Sequence, residues 1–385
     1  MNSPKVNTQL ILFLAAIIAI SPLTIDMYLP AMPAIAENLS TSIGLVQLSM
    51  SLYLAGYATG MLLLGPLADK WGRIHILRLG LSGFLITSLL LSISNDISHF
   101  LVLRFVQAFF GAAATVVVPG YIRQLFGAQM AKGMSYVSLI MMVAPLIAPS
   151  IGAGLLNIST WPAIFILLSA YTAILLGLTW KMDLPAMPAS SKEPISYLGR
   201  YRRVFSTPKV LPLIANSMLS SFAFFTYLTA APLIYMAILG ISAEKFALLF
   251  ALNVGSLMLA NLINTRIVGK LGSLTILKWA AGSALIIALL LVVASVQTSI
   301  LAILCLVPAI MLCIGLMSVN SDALLLIRFQ EDSGTATAVM GTLKFGVGAL
   351  AGPLLAIAPH SLWLFPVMLS VILVAIVINL RLNQT

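Results

Sequence analysis

The chain alternates between long apolar runs and short polar breaks along nearly its whole length. A run of about twenty apolar residues can cross a bilayer once as a helix, because a helix pairs its backbone groups internally. We predict twelve such helices, at residues 8–32, 43–66, 74–95, 98–122, 132–156, 161–180, 209–236, 243–265, 274–296, 299–325, 334–357 and 361–381. The expected fold class is an all-α membrane protein.

Composition and charge agree with this prediction. Of 385 residues, 61% are hydrophobic and only 8% are charged, which is too little polar surface for a water-soluble domain. The net charge of +10 is explained by lysines and arginines that lie mainly in alternate loops and at the chain ends, as they do on the cytoplasmic side of membrane proteins. We therefore expect both termini in the cytoplasm, and no nucleic-acid partner.

A proline-, serine- and arginine-containing stretch divides the chain into two parts. It predicts a cytoplasmic linker at residues 183–208 between six-helix halves at residues 1–182 and 209–385. A weak internal repeat supports the division, since Lys70 and Gly72 recur 200 positions later as Lys270 and Gly272. Repeated halves around a central site are typical of transporters.

Two opposite charges, Asp26 and Arg104, lie inside apolar runs, where a lone charge costs about 2.5 to 3.5 kcal/mol. Each lies about six residues, or about 9 Å of helix, from the same expected membrane face, so we expect the two side chains to meet. Gln107 follows Arg104 by one turn and is expected to share its hydrogen bonding. Two interpretations remain open, proton exchange at Asp26 and simple charge neutralisation for folding.

The segment from Gly65 to Arg73 closely resembles motif A of the major facilitator superfamily, and the segment from Leu103 to Gly111 resembles its motif B. The first resemblance implies a cytoplasmic gate, in which Asp69 faces the start of the eleventh helix. The second implies that Arg104 takes part in proton coupling. The motif A residues of interest are Gly65, Asp69, Gly72 and Arg73. An ordinary charged turn and a structural arginine are the alternatives.

The run from Ala144 to Gly154 resembles motif C of antiporters and contains Pro145, Pro149, Gly152 and Gly154, with Ala153 splitting the usual glycine pair. The segment from Ser21 to Pro33 resembles the first-helix signature of the Bcr/CflA family of bicyclomycin and chloramphenicol exporters. This resemblance implies that Asp26 exchanges protons and competes with the substrate. It also implies a multi-pass protein of the bacterial inner membrane.

Aromatic and methionine side chains are expected to form an adaptable substrate cavity. The candidates are Tyr28, Tyr53, Tyr57, Met141, Phe222, Phe225, Tyr227 and Lys344. Lys344 is a charge where the family usually has none. It either reaches toward Asp322 or presents its ammonium group to the cavity, and both alternatives stay open here.

The resulting expectation is a monomeric, proton-coupled antiporter that exports amphipathic drugs of the phenicol or bicyclomycin kind by alternating access. The chain has no phosphate-cradling glycine motif and no convincing catalytic dyad, so we expect no enzyme activity, no cofactor and no metal. The alternatives are an exporter of a siderophore, sugar or other metabolite, a proton-coupled importer, and a channel or sensor. Motif C argues against import.

Overall fold

The computed structural model describes residues 8–126, 130–182, 199, 202, 205–207, 210–329, 333–358 and 361–382. Within these residues, twelve helical segments are long and apolar enough to cross a membrane. The all-α fold class and the twelve predicted spans are therefore confirmed. Most of the predicted linker at residues 183–208 lies outside the described residues.

The helices follow the predicted spans closely. The first part of the chain forms α1 (Thr8–Asp26), α2 (Met32–Asn38), α3 (Ile43–Trp71), α4 (Arg73–Ser92), α5 (Ile97–Phe126), α6 (Met130–Ile158) and α7 (Pro162–Lys181). The second part forms α8 (Leu211–Pro232), α9 (Ala243–Leu271), α10 (Ser273–Val296), α11 (Ile300–Leu326), α12 (Ser333–Gly348), α13 (Ala351–Leu355) and α14 (Leu364–Leu382). A short 3-10 helix (Leu29–Ala31) joins α1 to α2, and a π-helical turn (Leu233–Ile238) continues α8.

The chain forms two compact units. One comprises residues 1–39 and 52–194, and the other comprises residues 40–51 and 195–385. The start of α3 thus groups with the second unit, where the Gln47 side-chain amide donates to the Thr229 carbonyl (3.0 Å). The Ser51 hydroxyl likewise accepts a hydrogen bond from the Gly352 amide (2.8 Å).

The internal repeat is visible in the helix boundaries. Helix α3 and helix α9 both have 29 residues and begin 200 positions apart. Each ends at a glycine with positive φ, Gly72 at φ 89°, ψ 140° and Gly272 at φ 76°, ψ 151°. This region of backbone space is open almost only to glycine. Matching turns therefore lie at matching positions of the repeat.

The motif A turn is shorter than the sequence indicated. Gly65 lies inside α3, which continues to Trp71, and only Gly72 separates α3 from α4. Helix α3 continues past the apolar run on which the prediction was based, because its last turn carries polar side chains that are compatible with a helix outside the bilayer.

Asp96 begins α5, the helix that carries Arg104. Its carboxylate accepts a hydrogen bond from the backbone N–H of His99 (3.0 Å), which satisfies one of the unpaired donors at the helix start. The same hydrogen bond holds the pKa of the exposed Asp96 carboxyl below its usual range. Asp96 is thus a surface acid whose role is local.

The positive φ of Gly272 predicts a specific sensitivity. We expect Gly272→Ala to lower the free energy of unfolding by about 1 to 3 kcal/mol, since alanine is strained at this backbone conformation although no neighbour lies within 4 Å of the added methyl group. Gly269→Ala is the matched control, because Gly269 is helical and also has open space. Thermal unfolding of the detergent-purified protein measures both. Equal melting temperatures for the two variants would contradict the prediction.

Candidate functional site

Asp26 lies where the first membrane span breaks. It is the last residue of α1, after which the chain passes through a turn and a 3-10 helix before α2 begins. Pro22 lies within α1, and Pro30 and Pro33 follow the break, so the bend predicted from the prolines is present. Asp26 is only 4% exposed, and the carboxylate has no lysine or arginine nitrogen within 4.0 Å among the described residues.

Arg104 is completely buried in α5 and held by two kinds of contact. One terminal nitrogen, Nη1, donates to Oε1 of Gln107 (2.7 Å), whose own amide donates to the Ser88 hydroxyl (2.8 Å). The guanidinium carbon lies 4.4 Å from the ring centre of Tyr28 and 4.5 Å from that of Tyr53. A planar guanidinium gains cation–π attraction from such ring faces.

The structure therefore brings Arg104 together with Gln107, Tyr28 and Tyr53, but not with Asp26. The expected hydrogen bond to Gln107 is present, whereas the expected contact between the two buried charges is not formed in this state. The Nε and Nη2 groups of Arg104 have no hydrogen-bond partner within the described part of the chain. Because Tyr28 follows Asp26 by two residues, the turn after α1 already contacts the arginine.

Two glycines in α3 bring the helix against α5. A Cβ atom on Gly56 would lie 2.1 Å from the Phe105 carbonyl oxygen, and one on Gly60 would lie 2.4 Å from that of Phe109. This close approach holds Tyr53, one turn before Gly56, against Arg104. This pair was not predicted from the sequence, although the Gly-x-x-x-Gly spacing is a recognised signal for close packing of membrane helices. Ser88 was not predicted either, because no sequence pattern marks it.

Motif C packs on the break beside Asp26. Pro145, Pro149 and Gly152 lie inside α6. A Cβ atom on Gly152 would lie 2.2 Å from the carbonyl oxygen of Met27, whereas Gly154 has no neighbour within 4 Å of such an atom. Of the two predicted glycines, only Gly152 is needed for the close contact.

Motif A holds the turn between α3 and α4. Asp69 is half-buried near the end of α3, and it attracts Arg73, the first residue of α4. The Arg73 guanidinium fills the space beside Gly120 of α5, since a Cβ atom there would lie 1.5 Å from Nη1. The gating role of Asp69 stays a prediction.

The remaining cavity candidates are mostly buried within their own unit. In the first unit, Tyr57 stacks on Tyr53 with ring centres 6.2 Å apart and hydrogen-bonds Thr115, while Met141 of α6 is 39% exposed. In the second, Phe222, Phe225 and Tyr227 lie on α8 and are buried. The Tyr227 hydroxyl accepts a hydrogen bond from the Asn253 amide (2.8 Å), and Phe225 packs on Phe345 at 5.2 Å. Their contact with substrate stays a prediction.

Lys344 is paired with Asp322. Its ammonium nitrogen lies 2.6 Å from Oδ1 and 2.5 Å from Oδ2 of the carboxylate. Of the two alternatives that the sequence left open, the structure thus has the ion pair between α11 and α12.

The contact of Gly152 with Met27 generates a matched pair of variants. We expect Gly152→Ala to cost about 1 to 3 kcal/mol of stability and to weaken transport, because the methyl group forces the backbone at residue 27 to move and carries Asp26 with it. Gly154→Ala has open space and is expected to match the wild type. Melting temperature and transport rate check both variants. Wild-type behaviour of Gly152→Ala would show that this contact does not position Asp26.

The aromatic cage predicts that arginine is needed at position 104. Lys keeps the charge but lacks the planar surface that stacks on Tyr28 and Tyr53, so we expect Arg104→Lys to lower stability by about 2 kcal/mol. Arg78→Lys is the control, since Arg78 stacks on a single ring, Trp180, at 4.8 Å and is only partly buried. Its loss should be smaller. A thermal shift for Arg104→Lys no larger than for Arg78→Lys would contradict the role of the cage.

Comparison with known proteins accords with this geometry. The family model described as Major Facilitator Superfamily matches residues 14–353. A bicyclomycin resistance protein homolog of Haemophilus influenzae is 31% identical over 363 residues, covering 92% of this chain and 91% of that protein. The multidrug transporter MdfA of Yersinia pestis is 27% identical over 334 residues, covering 84% and 81% respectively. The chloramphenicol resistance protein CraA of Acinetobacter baumannii is 31% identical over 253 residues, covering 64% and 61%.

Solved structures share the fold at low identity. The nucleoside transporter NupG aligns with a TM-score of 0.73 at 12% identity, covering 99% of this chain and 98% of NupG. A bacterial homolog of the human lysosomal transporter Spinster aligns with a TM-score of 0.75 at 14% identity, covering 100% and 98%. These similarities establish the fold, and the sequence relatives establish the family of transporters rather than enzymes. The chain belongs to the Major Facilitator Superfamily and, within it, to the Bcr/CflA-like family of drug efflux transporters.

Proposed function

We propose that this protein is a proton-coupled antiporter that exports amphipathic small-molecule drugs, of the phenicol or bicyclomycin kind, from the bacterial cytoplasm. It acts as a monomer in the inner membrane with both termini in the cytoplasm. The resistance relatives support the cargo class, and the alternating loop charges support the orientation. The proposal for proton coupling rests on Asp26.

The observation that carries the proposal is the position of the Asp26 carboxyl group. It is buried within a membrane span, has no cationic partner within 4.0 Å among the residues that the structure describes, and lies at a break in the helix. An ionisable group in such a place is expensive to keep and marks a functional site by default. Irregular backbone at membrane depth is tolerated where protein or a water-filled cavity surrounds it, and the alternating-access cycle proposed below brings Asp26 into contact with water.

Arg104 supplies the counter-charge for the deprotonated state. Its Nε and Nη2 groups are hydrogen-bond donors that have no acceptor among the described residues. The Tyr28 ring, which covers the guanidinium, belongs to the residue two positions after Asp26. A shift of the turn after α1 exchanges the ring for the carboxylate. When Asp26 binds a proton, the carboxyl is neutral and leaves the arginine to the tyrosine rings.

Exchange follows from competition at Asp26. Facing outward, Asp26 takes a proton from the more acidic side and the drug leaves. Facing inward, drug binding and the nearby Arg104 favour loss of that proton to the cytoplasm. Since drug and proton exclude each other, the inward proton gradient drives the drug out by alternating access.

The direct test replaces the carboxyl group alone. We expect Asp26→Asn to abolish drug efflux driven by a pH gradient in proteoliposomes, because the amide cannot exchange protons, while chloramphenicol binding is retained. Asp96→Asn is the matched control, since Asp96 is exposed and asparagine also caps a helix well. Full gradient-driven transport by Asp26→Asn would refute the proposal.

The cargo is tested in cells. A hypersensitive bacterial host that expresses the chain should gain resistance to chloramphenicol or bicyclomycin, and the Asp26→Asn variant should not confer it at equal expression. Unchanged susceptibility across a broad drug panel would instead favour export of a siderophore, sugar or other metabolite.

A further inference from the structure

A second charged cluster lies in the second unit, where three helices meet at one carboxylate. Asp322 of α11 accepts hydrogen bonds from the Lys344 ammonium of α12 at 2.6 and 2.5 Å. The Ser217 hydroxyl of α8 donates to Oδ1 of the same carboxylate at 2.5 Å. Both oxygens of the carboxylate are thus engaged, Oδ2 by the ammonium alone and Oδ1 by the ammonium and a hydroxyl.

Packing already holds these helices together without the ion pair. Leu325, one turn after Asp322, belongs to an apolar cluster with buried Val210, Ile214, Phe329, Val339 and Met340. Leu343, next to Lys344, packs against the same cluster. Replacing a buried ion pair by apolar side chains is often neutral or stabilising, so stability alone gives little reason to keep two charges inside membrane helices.

The pair is open on one side. The Lys344 side chain is 19% exposed and the Asp322 side chain 35%, whereas Arg104 in the first unit is completely buried. Charged groups in membrane helices face the protein interior or water rather than lipid, so this exposure indicates access from water. Beside the acid, the buried Ser321 hydroxyl has no hydrogen-bond partner among the residues that the structure describes.

We propose that the Asp322 carboxylate and the Ser217 hydroxyl form a binding site for an organic cation, and that the protein's own Lys344 fills it. Phe345, the residue after Lys344, packs against Phe225 with ring centres 5.2 Å apart, so both rings belong to the helices that carry this cluster. Lys344 is a tethered competitor, present at a far higher local concentration than any free cation. It is therefore the residue that excludes cationic cargo from this site.

This inference rests on the proposed function, because it assigns the charge class of the exported compounds. A binding experiment tests it without a proton gradient. The purified full-length protein in detergent is titrated with ethidium, a fluorescent organic cation, and with chloramphenicol as a neutral compound. The variants are Lys344→Gln, the double variant Asp322→Asn with Lys344→Gln, and Lys344→Arg as the charge-conserving control.

We expect Lys344→Gln to bind ethidium about tenfold or more tightly than the wild type, since one charge-assisted contact to a carboxylate becomes available. The gain should vanish in the double variant and in Lys344→Arg, and Lys344→Gln should show no comparable gain for chloramphenicol, which carries no positive charge. No gain in Lys344→Gln, or a gain that persists without the Asp322 carboxylate, would overturn the proposal.

A substitution of the carboxylate instead of the lysine keeps the proposal testable if Lys344→Gln does not fold. Asp322→Asn leaves Lys344 without its carboxylate, and it should gain binding of fluorescein, an organic anion, that the double variant lacks. The absence of this gain overturns the proposal, as does a result in which neither single variant folds but the double variant does. Because binding needs no gradient, a negative Asp26→Asn transport result and a negative result here are distinguishable.

Discussion

The cost of placing charge inside a bilayer governs this molecule. An ionised group within a membrane span is costly unless it is paired, stacked on aromatic rings or exposed to water, because hydrocarbon offers no compensation. The first unit meets this constraint by burying Arg104 between Tyr28 and Tyr53 and against Gln107, while Asp26 stays apart at a helix break. The second unit meets it by direct pairing of Lys344 with Asp322. One arrangement leaves a buried acid without a cationic partner among the described residues, and the other holds an acid in an ion pair.

Close helix packing is what makes the first arrangement possible. Gly56 lets α3 approach α5 so closely that a side chain at this position would collide with the α5 backbone. Tyr53 thereby reaches the Arg104 guanidinium. Gly152 does the same for α6 at Met27, one residue after Asp26. The positions of the polar groups Arg104 and Asp26 therefore depend on two glycines that have no side chain of their own. The glycine- and proline-rich run of α6 thus lies directly against the backbone beside Asp26, the residue for which we propose proton coupling.

Much of the fold was readable from the sequence, because length and apolarity are local properties. A helix must satisfy its own backbone in lipid, so each apolar run of about twenty residues gave one span, and the prolines after Asp26 gave the break. The repeat was detectable because Gly72 and Gly272 meet the same backbone requirement at a turn. The hydrogen bond between Arg104 and Gln107 followed from their spacing on one helix. Drug export was indicated by motifs that resemble those of a known family of exporters.

Contacts between helices were beyond the sequence, because helix rotation and translation decide them. Equal depth in the membrane placed Asp26 and Arg104 at one level, but the rotation of α1 and the rings of Tyr28 and Tyr53 decided that they do not touch here. From the sequence, the Lys344 side chain could either pair with Asp322 or face the cavity, and the packing of α11 beside α12 decided for the pair. The sequence by itself determined the spans, the break and the identity of the buried charges. Tertiary structure alone decided the partner of each charge, because pairing depends on distances of a few ångströms that no linear spacing encodes.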